Sequence, residues 1–103
     1  MQESYRYIVF IFKSPTPENV SDFRKSLTSI YVELFGMREY ALSKFAIAEY
    51  APNKGGIIKI RRESVHMAKT VLAFYKNYKN PIHIIKTTGT LKKAKKVLKS
   101  YPL

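Results

Sequence analysis

The segment from Tyr5 to Phe12 constrains the fold more than any other, because hydrophobic side chains occupy both faces of the strand that it predicts. The side chains of a strand point alternately to its two faces. One face then carries Ile8, Phe10 and Phe12, and the other carries Tyr7, Val9 and Ile11. A strand of this kind is central in its sheet or covered by a partner.

Hydrophobic residues at helical spacing predict two helices. The first is expected to begin at Thr16-Pro17-Glu18, where a capping Thr, a Pro at the first helical position and an acid in the first turn coincide, and to end at Gly36. Its apolar stripe contains Val20, Phe23, Leu27, Ile30, Leu34 and Phe35. The second helix is expected after Arg62-Glu63-Ser64, and its stripe contains Val65, Ala68, Val71, Leu72 and Tyr75.

Two strands joined by a hairpin are expected between these helices. The first is predicted from Ala41 to Tyr50 and the second from Gly56 to Arg61, and the turn between them contains Pro and Gly. In the second strand two isoleucines alternate with Lys59 and Arg61. If the isoleucines meet the helices, these two cations lie on the opposite face of the sheet.

The stretch from Ile82 to Lys99 predicts a strand, a glycine-containing turn and a third helix. Its isoleucines favour a strand, Thr88-Gly89-Thr90 ends it, and Thr90 can cap the helix that follows. The apolar stripe of this helix contains Leu91, Ala94, Val97 and Leu98, and the remaining surface carries Lys92, Lys93, Lys95, Lys96 and Lys99.

The order of these elements, β-α-β-β-α-β followed by a basic helix, predicts an α+β chain of the ferredoxin-like class. Its sheet is expected to be antiparallel, with two helices on one face and the other face left for a ligand, an RNA or another protein. A chain of 103 residues suits one domain with one core, so residues 1–103 are interpreted as a single RNA-binding domain. Most of its aromatic rings are expected in that core.

Positive charge is concentrated in the second half of the chain and favours a polyanionic partner. The net charge is +12, and from Lys59 onward twelve Lys and Arg residues accompany a single acid, Glu63. The part before Lys59 has seven basic and six acidic residues. Such asymmetry concentrates a polyanion on one side. Structured RNA, bound by its shape, is the expected partner because lysine contacts position a phosphate backbone without reading its sequence.

The candidate RNA-binding residues lie on two strands, at the entrance of the last helix and along it. Gly89 and Thr90 can offer backbone N–H groups to a phosphate where that helix begins. If some six of the cations contact phosphates, the log–log dependence of affinity on salt has a slope of about −4. The set is Lys59, Arg61, Arg62, Lys86, Gly89, Thr90, Lys92, Lys93, Lys95, Lys96 and Lys99.

A second candidate surface is the apolar strip of Tyr7, Val9 and Ile11. Tyr7 could stack on an RNA base, as aromatic residues do on the sheets of RNA-recognition domains. Its neighbours Val9 and Ile11 are aliphatic, however. The favoured interpretation is therefore contact with a protein partner or with a second copy of the chain.

Enzymatic chemistry has little support in the sequence. The absence of cysteine excludes disulfides and thiol catalysis, and two histidines, His66 and His83, argue against a zinc site. The carboxylates Glu39, Glu49 and Glu63 are scattered over three elements, and their spacing suggests no magnesium pair. No catalytic residue and no metal or cofactor bound by the protein itself are therefore expected.

Four motifs, in this order along the chain, resemble those of the ribonuclease P protein component 2 family of archaea and eukaryotes. They are Arg6-Tyr7-Ile8-Val9-Phe10, Gly56-Ile57-Ile58-Lys59, Arg62-Glu63 and Thr88-Gly89-Thr90-Leu91-Lys92-Lys93. The resemblance implies a ferredoxin-like, non-catalytic subunit of the endoribonuclease that removes the 5′ leader from precursor tRNA, in which the RNA subunit performs the hydrolysis with Mg²⁺. It also implies pairing with a TIM-barrel-like protein subunit, self-association and support of the folded catalytic RNA.

Three alternatives stay open. The chain could be a general structured-RNA-binding or ribosomal-type protein with no role in tRNA processing. It could dock on acidic surfaces or anionic membrane, although the last helix lacks a Trp or Phe anchor. It could also be a stand-alone enzyme. A cytoplasmic location is expected, because the absence of cysteine fits a reducing compartment. The apolar run from Tyr7 to Phe12 is shorter than the about 20 residues that span a bilayer.

Overall fold

In the part of the chain that the structure describes, four strands form one antiparallel sheet, in the order Ala46–Ala51, Gly55–Arg61, Tyr5–Phe12 and Ile82–Thr88. The computed structural model describes residues 4–14, 19–76 and 79–101. In chain order the elements are β1 (Tyr5–Phe12), α1 (Val20–Ser43), β2 (Ala46–Ala51), β3 (Gly55–Arg61), a 3-10 turn (Arg62–Ser64), α2 (Val65–Ala73), β4 (Ile82–Thr88) and α3 (Leu91–Ser100). The element order and the antiparallel sheet confirm the predicted α+β, ferredoxin-like fold.

Strand β1 is central in the sheet and covered on both faces, as its two apolar faces predict. Ile8, Phe10 and Phe12 belong to the main core, which the sheet forms with α1 and α2. Val9 lies in a second, smaller core on the opposite face, together with Ile57 and Ala94. The protein therefore has three layers, with α1 and α2 on one side of the sheet and α3 on the other.

Aromatic rings fill the main core. The rings of Phe10, Phe12, Phe23, Tyr50 and Tyr75 contact one another in pairs with centroids 5.1 to 6.0 Å apart. Four of the six pairs are edge to face, an arrangement that the charge distribution of aromatic rings favours. These rings are explained by packing, which confirms the assignment of most aromatic residues to the core.

Helix α1 is interrupted at Gly36, where the sequence predicts its end, and a second helical segment follows the kink. This glycine does break the helical geometry, at φ 92° and ψ 161°, but the chain then resumes a helix that continues to Ser43. The prediction of a strand from Ala41 was therefore wrong, and β2 begins at Ala46. The physical reason is packing after the kink, since the ring of Tyr40 lies 5.5 Å from that of Tyr31 and 6.1 Å from that of Phe45.

The start of α1 is set by Asn19, whose side-chain oxygen accepts a hydrogen bond from the backbone N–H of Asp22 at 2.9 Å. Such a cap satisfies one of the donors that the first turn leaves without an intrahelical partner. The predicted start at Thr16-Pro17-Glu18 lies outside the described residues.

Burial of Tyr31 gives a testable dependence of stability on pH. The side chain is completely buried, and its burial raises the pKa of the phenol above the usual value of 10.0. The folded protein keeps this proton at pH values where the unfolded chain releases it. Its contribution to stability is thus complete below about pH 10 and is lost as the pH rises further. We expect Tyr31→Phe to lose less stability than the parent protein between neutral pH and about pH 11, measured by urea unfolding. Parallel pH curves for the two proteins would contradict this assignment.

Candidate nucleic-acid interface

Helix α3 is held on the sheet by its apolar stripe, as the spacing of that stripe predicts. Ala94 is completely buried against Val9 and Ile57, and three further residues of the stripe, Leu91, Val97 and Leu98, pack around them. Thr90 caps the helix, since its hydroxyl oxygen accepts a hydrogen bond from the backbone N–H of Lys93 at 3.2 Å. Packing on one side and charge on the other therefore fix which surface of α3 faces solvent.

The face of the sheet that was predicted to be open is covered by α3. Val9 is completely buried and Ile11 is only 8% exposed, while Tyr7 packs against the smaller core. The expectation of an exposed apolar strip is therefore wrong, because the stripe of α3 and the strip on β1 remove each other from water. Contact of a protein partner with Tyr7, Val9 and Ile11 stays a prediction, but the solvent exposure that suggested it is not present.

Lysines of α3 and β4 border two cavities, one on each flank of α3. Lys86 on β4 and Lys93 and Lys96 on α3 line a cavity of about 350 Å³, the cleft between the two elements. The other lining residues are Thr88, Val97 and Ser100. On the opposite flank of α3, Lys95 and Lys99 line a smaller cavity of about 220 Å³ with Lys54 and Glu49.

Three of the candidate cations are paired with carboxylates of the protein itself. The ammonium of Lys95 lies 3.3 Å from Glu49, and Glu63 lies 3.4 Å from Arg61 and 3.9 Å from Arg62. Of the six other candidates, Lys59 lies against the ring of Tyr5, and the five on β4 and α3 have no ion pair within the described ranges: Lys86, Lys92, Lys93, Lys96 and Lys99. Their charge is available to an external anion, and we call these five residues the unpaired lysines.

The cations of β3 make local contacts at one end of the sheet. The ammonium of Lys59 lies 4.3 Å from the centroid of the Tyr5 ring, a cation–π distance. The guanidinium of Arg61 also donates to the carbonyl of Leu42 at 3.4 Å. Lys59 and Thr88 both pair with Tyr7, so Lys59 lies on the α3 face, near the point at which that helix begins. Arg61 instead reaches the C-terminal end of α1, in the opposite layer.

The entrance of α3 is open to solvent. Gly89 and Thr90 are exposed, and a side chain added at Gly89 would meet no atom within 4 Å. The first backbone N–H groups of a helix have no intrahelical partner; the Thr90 hydroxyl satisfies that of Lys93, and a phosphate can approach the others here.

Sequence reasoning did not identify the cleft itself. Thr88 and Ser100 were not candidates, because nothing in the chain shows that a strand end and a helix end face each other. Val97 was assigned only to the apolar stripe. Lys93 and Lys96 are three residues apart and therefore lie on one flank of the helix, which is the single signal that the sequence offered.

No group of three His, Asp or Glu side chains is close enough to hold a metal ion in residues 4–14, 19–76 and 79–101. None of the helices in these ranges is long and apolar enough to cross a membrane.

A comparison with protein families agrees with this architecture. The sequence model described as the Rpp14/Pop5 family matches residues 6–99, a range that contains all three helices almost entirely and three strands completely. No curated protein was found to match the chain. The match covers most of the sequence, so the chain belongs to the Rpp14/Pop5 family, a family of ribonuclease P protein subunits.

Proposed function

We propose that the protein is the component 2 subunit of ribonuclease P and assists the catalytic RNA in removing the 5′ leader from precursor tRNA. The observation that carries this proposal is the surface of unpaired lysines, in a chain whose family consists of ribonuclease P subunits. The role is non-catalytic: the RNA, with its Mg²⁺, performs the phosphodiester hydrolysis.

The mechanism is electrostatic. Folding a large RNA brings phosphates close together, and this repulsion must be offset by bound cations. Five ammonium groups on α3 and β4 displace condensed counterions from the RNA and make its folded form available at a lower Mg²⁺ concentration. Lys59, Arg61 and Arg62 add charge at the sheet end, but their local contacts make them weaker contributors than the unpaired lysines.

Reconstitution of the particle tests this role. Cleavage of precursor tRNA by the RNA with its other protein subunits is measured across a magnesium titration, with and without this protein. We expect the protein to shift the half-maximal Mg²⁺ concentration downward. An unchanged magnesium requirement contradicts the proposal.

A general structured-RNA-binding protein is distinguished by competition. Labelled ribonuclease P RNA is bound to the protein and challenged with an unrelated folded RNA of equal length. The reactions include the partner protein subunits, and we expect the unrelated RNA to compete poorly, because the basic surface and the partner subunits together fit one particle. Equal competition favours the general RNA-binding role.

Protein partners complete the proposal. Leu34, Met37 and Leu42 of α1 are large apolar side chains that are 40%, 63% and 46% exposed. Exposed apolar side chains favour contact with another protein.

We propose that a TIM-barrel-like subunit of ribonuclease P pairs with this protein and that this protein also self-associates. We further propose that the particle is cytoplasmic. Purification of the tagged protein from its native cells tests this, since a large RNA and other small basic proteins are expected with it.

A further inference from the structure

The cleft between β4 and α3 has the size and composition of a binding site for a small polar ligand. Its volume of about 350 Å³ lies within the range of ligand pockets, about 300–1,000 Å³, and exceeds what one phosphate group fills. Three ammonium groups border it, from Lys86, Lys93 and Lys96, and none of them has an ion pair within the described residues. An anion is the ligand that this charge selects.

The two hydroxyl groups of the cleft indicate what else the ligand carries. Thr88 donates its hydroxyl proton to the carbonyl of Thr90 at 2.8 Å, and Ser100 donates to the carbonyl of Val97 at 3.2 Å. Because both protons are used, the two oxygens can only accept hydrogen bonds from a ligand. The ligand therefore combines a negative charge with hydroxyl or N–H donors, and Val97 gives it a small apolar contact.

We propose that this cleft holds one unpaired nucleotide of the RNA, with its phosphate among the three lysines and its ribose 2′-hydroxyl donating to Thr88 or Ser100. This inference rests on the proposed RNA-binding function and narrows it. A nucleotide in a continuous duplex is kept out by stacking and pairing, whereas a bulged nucleotide can leave the helix and enter. The 2′-hydroxyl contact also separates RNA from DNA.

The test compares two RNA hairpins that differ only in one bulged nucleotide, which carries the fluorescent base 2-aminopurine. Two double variants remove the same charge from α3. Lys93→Gln with Lys96→Gln alters the cleft, and Lys92→Gln with Lys99→Gln leaves its lining intact. Circular dichroism verifies that both variants keep the fold.

We expect the parent protein to bind the bulged hairpin about tenfold more tightly than the paired one, which corresponds to about 1.4 kcal/mol. The cleft variant is expected to lose this preference, while the control variant weakens binding to both hairpins and keeps their ratio. Replacing the bulged ribonucleotide by its 2′-deoxy form is expected to reduce the preference and the fluorescence change on binding.

Three outcomes overturn the cleft assignment. The first is equal affinity of the parent protein for the two hairpins, and the second is an unchanged preference in the cleft variant. Either leaves the proposed function intact if both hairpins are still bound through the lysines. The third is displacement of the bulged hairpin by free adenosine monophosphate at equal concentration, which assigns the cleft to a free nucleotide instead. Binding to neither hairpin removes the cleft assignment and counts against the proposed RNA-binding function as well.

Discussion

Replacing the unpaired lysines together by glutamine is expected to weaken binding to ribonuclease P RNA by about a thousandfold at about 0.15 M salt. Each phosphate contact contributes about −0.7 to −0.9 to the log–log salt slope, so five contacts give a slope of about −4. At 0.15 M salt, a slope of this size corresponds to about 10³-fold in affinity relative to 1 M salt. The variant should therefore bind weakly and with little dependence on salt.

The measurement is a titration of RNA affinity against salt concentration for the parent protein and the variant. The matched control removes five exposed charges from α1, α2 and the residue that follows α1, on the other side of the sheet. These are replaced by glutamine: Arg24, Lys25, Arg38, Lys44 and Lys69. Its slope is expected to stay near about −4. An equal change of slope in the two variants would mean that net charge, and not the α3 surface, determines binding.

Substitution of Glu49 is expected to change RNA affinity in the opposite direction, by strengthening it. Its carboxylate lies 3.3 Å from the ammonium of Lys95 and competes with phosphate for that charge. Glu49→Gln should therefore strengthen RNA binding and make the salt slope more negative by up to about 0.9. Unchanged affinity and an unchanged salt slope in Glu49→Gln would place the RNA away from this flank of α3.

The fold was predictable where hydrophobic periodicity alone decides the structure. Strand β1 is apolar on both faces, and this pattern requires a layer on each side of the sheet, which α1 with α2 and α3 provide. The stripe of α3 predicted its buried side and the cap at Thr90 predicted its start. What the pattern did not show was that these two apolar surfaces belong together, so the sheet was expected to have an open face.

The helical segment of α1 after Gly36 could not be predicted from local signals. Gly36 has a positive φ of 92°, which glycine adopts readily and which interrupts the helix, and a local rule places a helix end there. The chain continues as a helix because Tyr40 then reaches Tyr31 and Phe45, contacts that depend on the folded arrangement. The local signal at Gly36 holds, and tertiary packing stabilises a second helical segment after it.

The charged residues of the candidate site could be predicted from the sequence, but their arrangement in space could not. The lysines of α3 could be assigned from their spacing, whereas the pairing of Lys95 with Glu49 joins elements that are distant in the chain. The position of Lys86 depends on a bulge in β4, since Val9 pairs with Lys86 while the adjacent Phe10 pairs with Ile84. Such an irregularity leaves no clear pattern in an isoleucine-rich strand.

Ala94→Asp is expected to destabilise the protein by about 3 to 5 kcal/mol, because it places an unpaired carboxylate in an apolar core. Ala94 is completely buried, and its neighbours in the smaller core are Val9 and Ile57, which offer neither a cation nor a hydrogen-bond donor in their side chains. The substituted helix must leave the sheet or the charge must stay dehydrated. Urea unfolding measures the loss, and Ser29→Asp, at an exposed position within α1, is expected to change stability by no more than about 0.5 kcal/mol.

Substitutions of Ala94 also show whether RNA binding depends on where the α3 lysines are held or only on their charge. If α3 leaves the sheet, its lysines remain on the chain but no longer border a cleft with Lys86. Ala94→Gln adds no negative charge, yet its side chain cannot fit between α3 and the sheet without displacing the helix. We therefore expect both Ala94 variants to lose the preference for a bulged nucleotide, while Ala94→Gln keeps a steep salt dependence. A stability of Ala94→Asp equal to that of Ser29→Asp would show that α3 is not packed on the sheet in solution, and the RNA surface would then have to be assigned to a mobile helix.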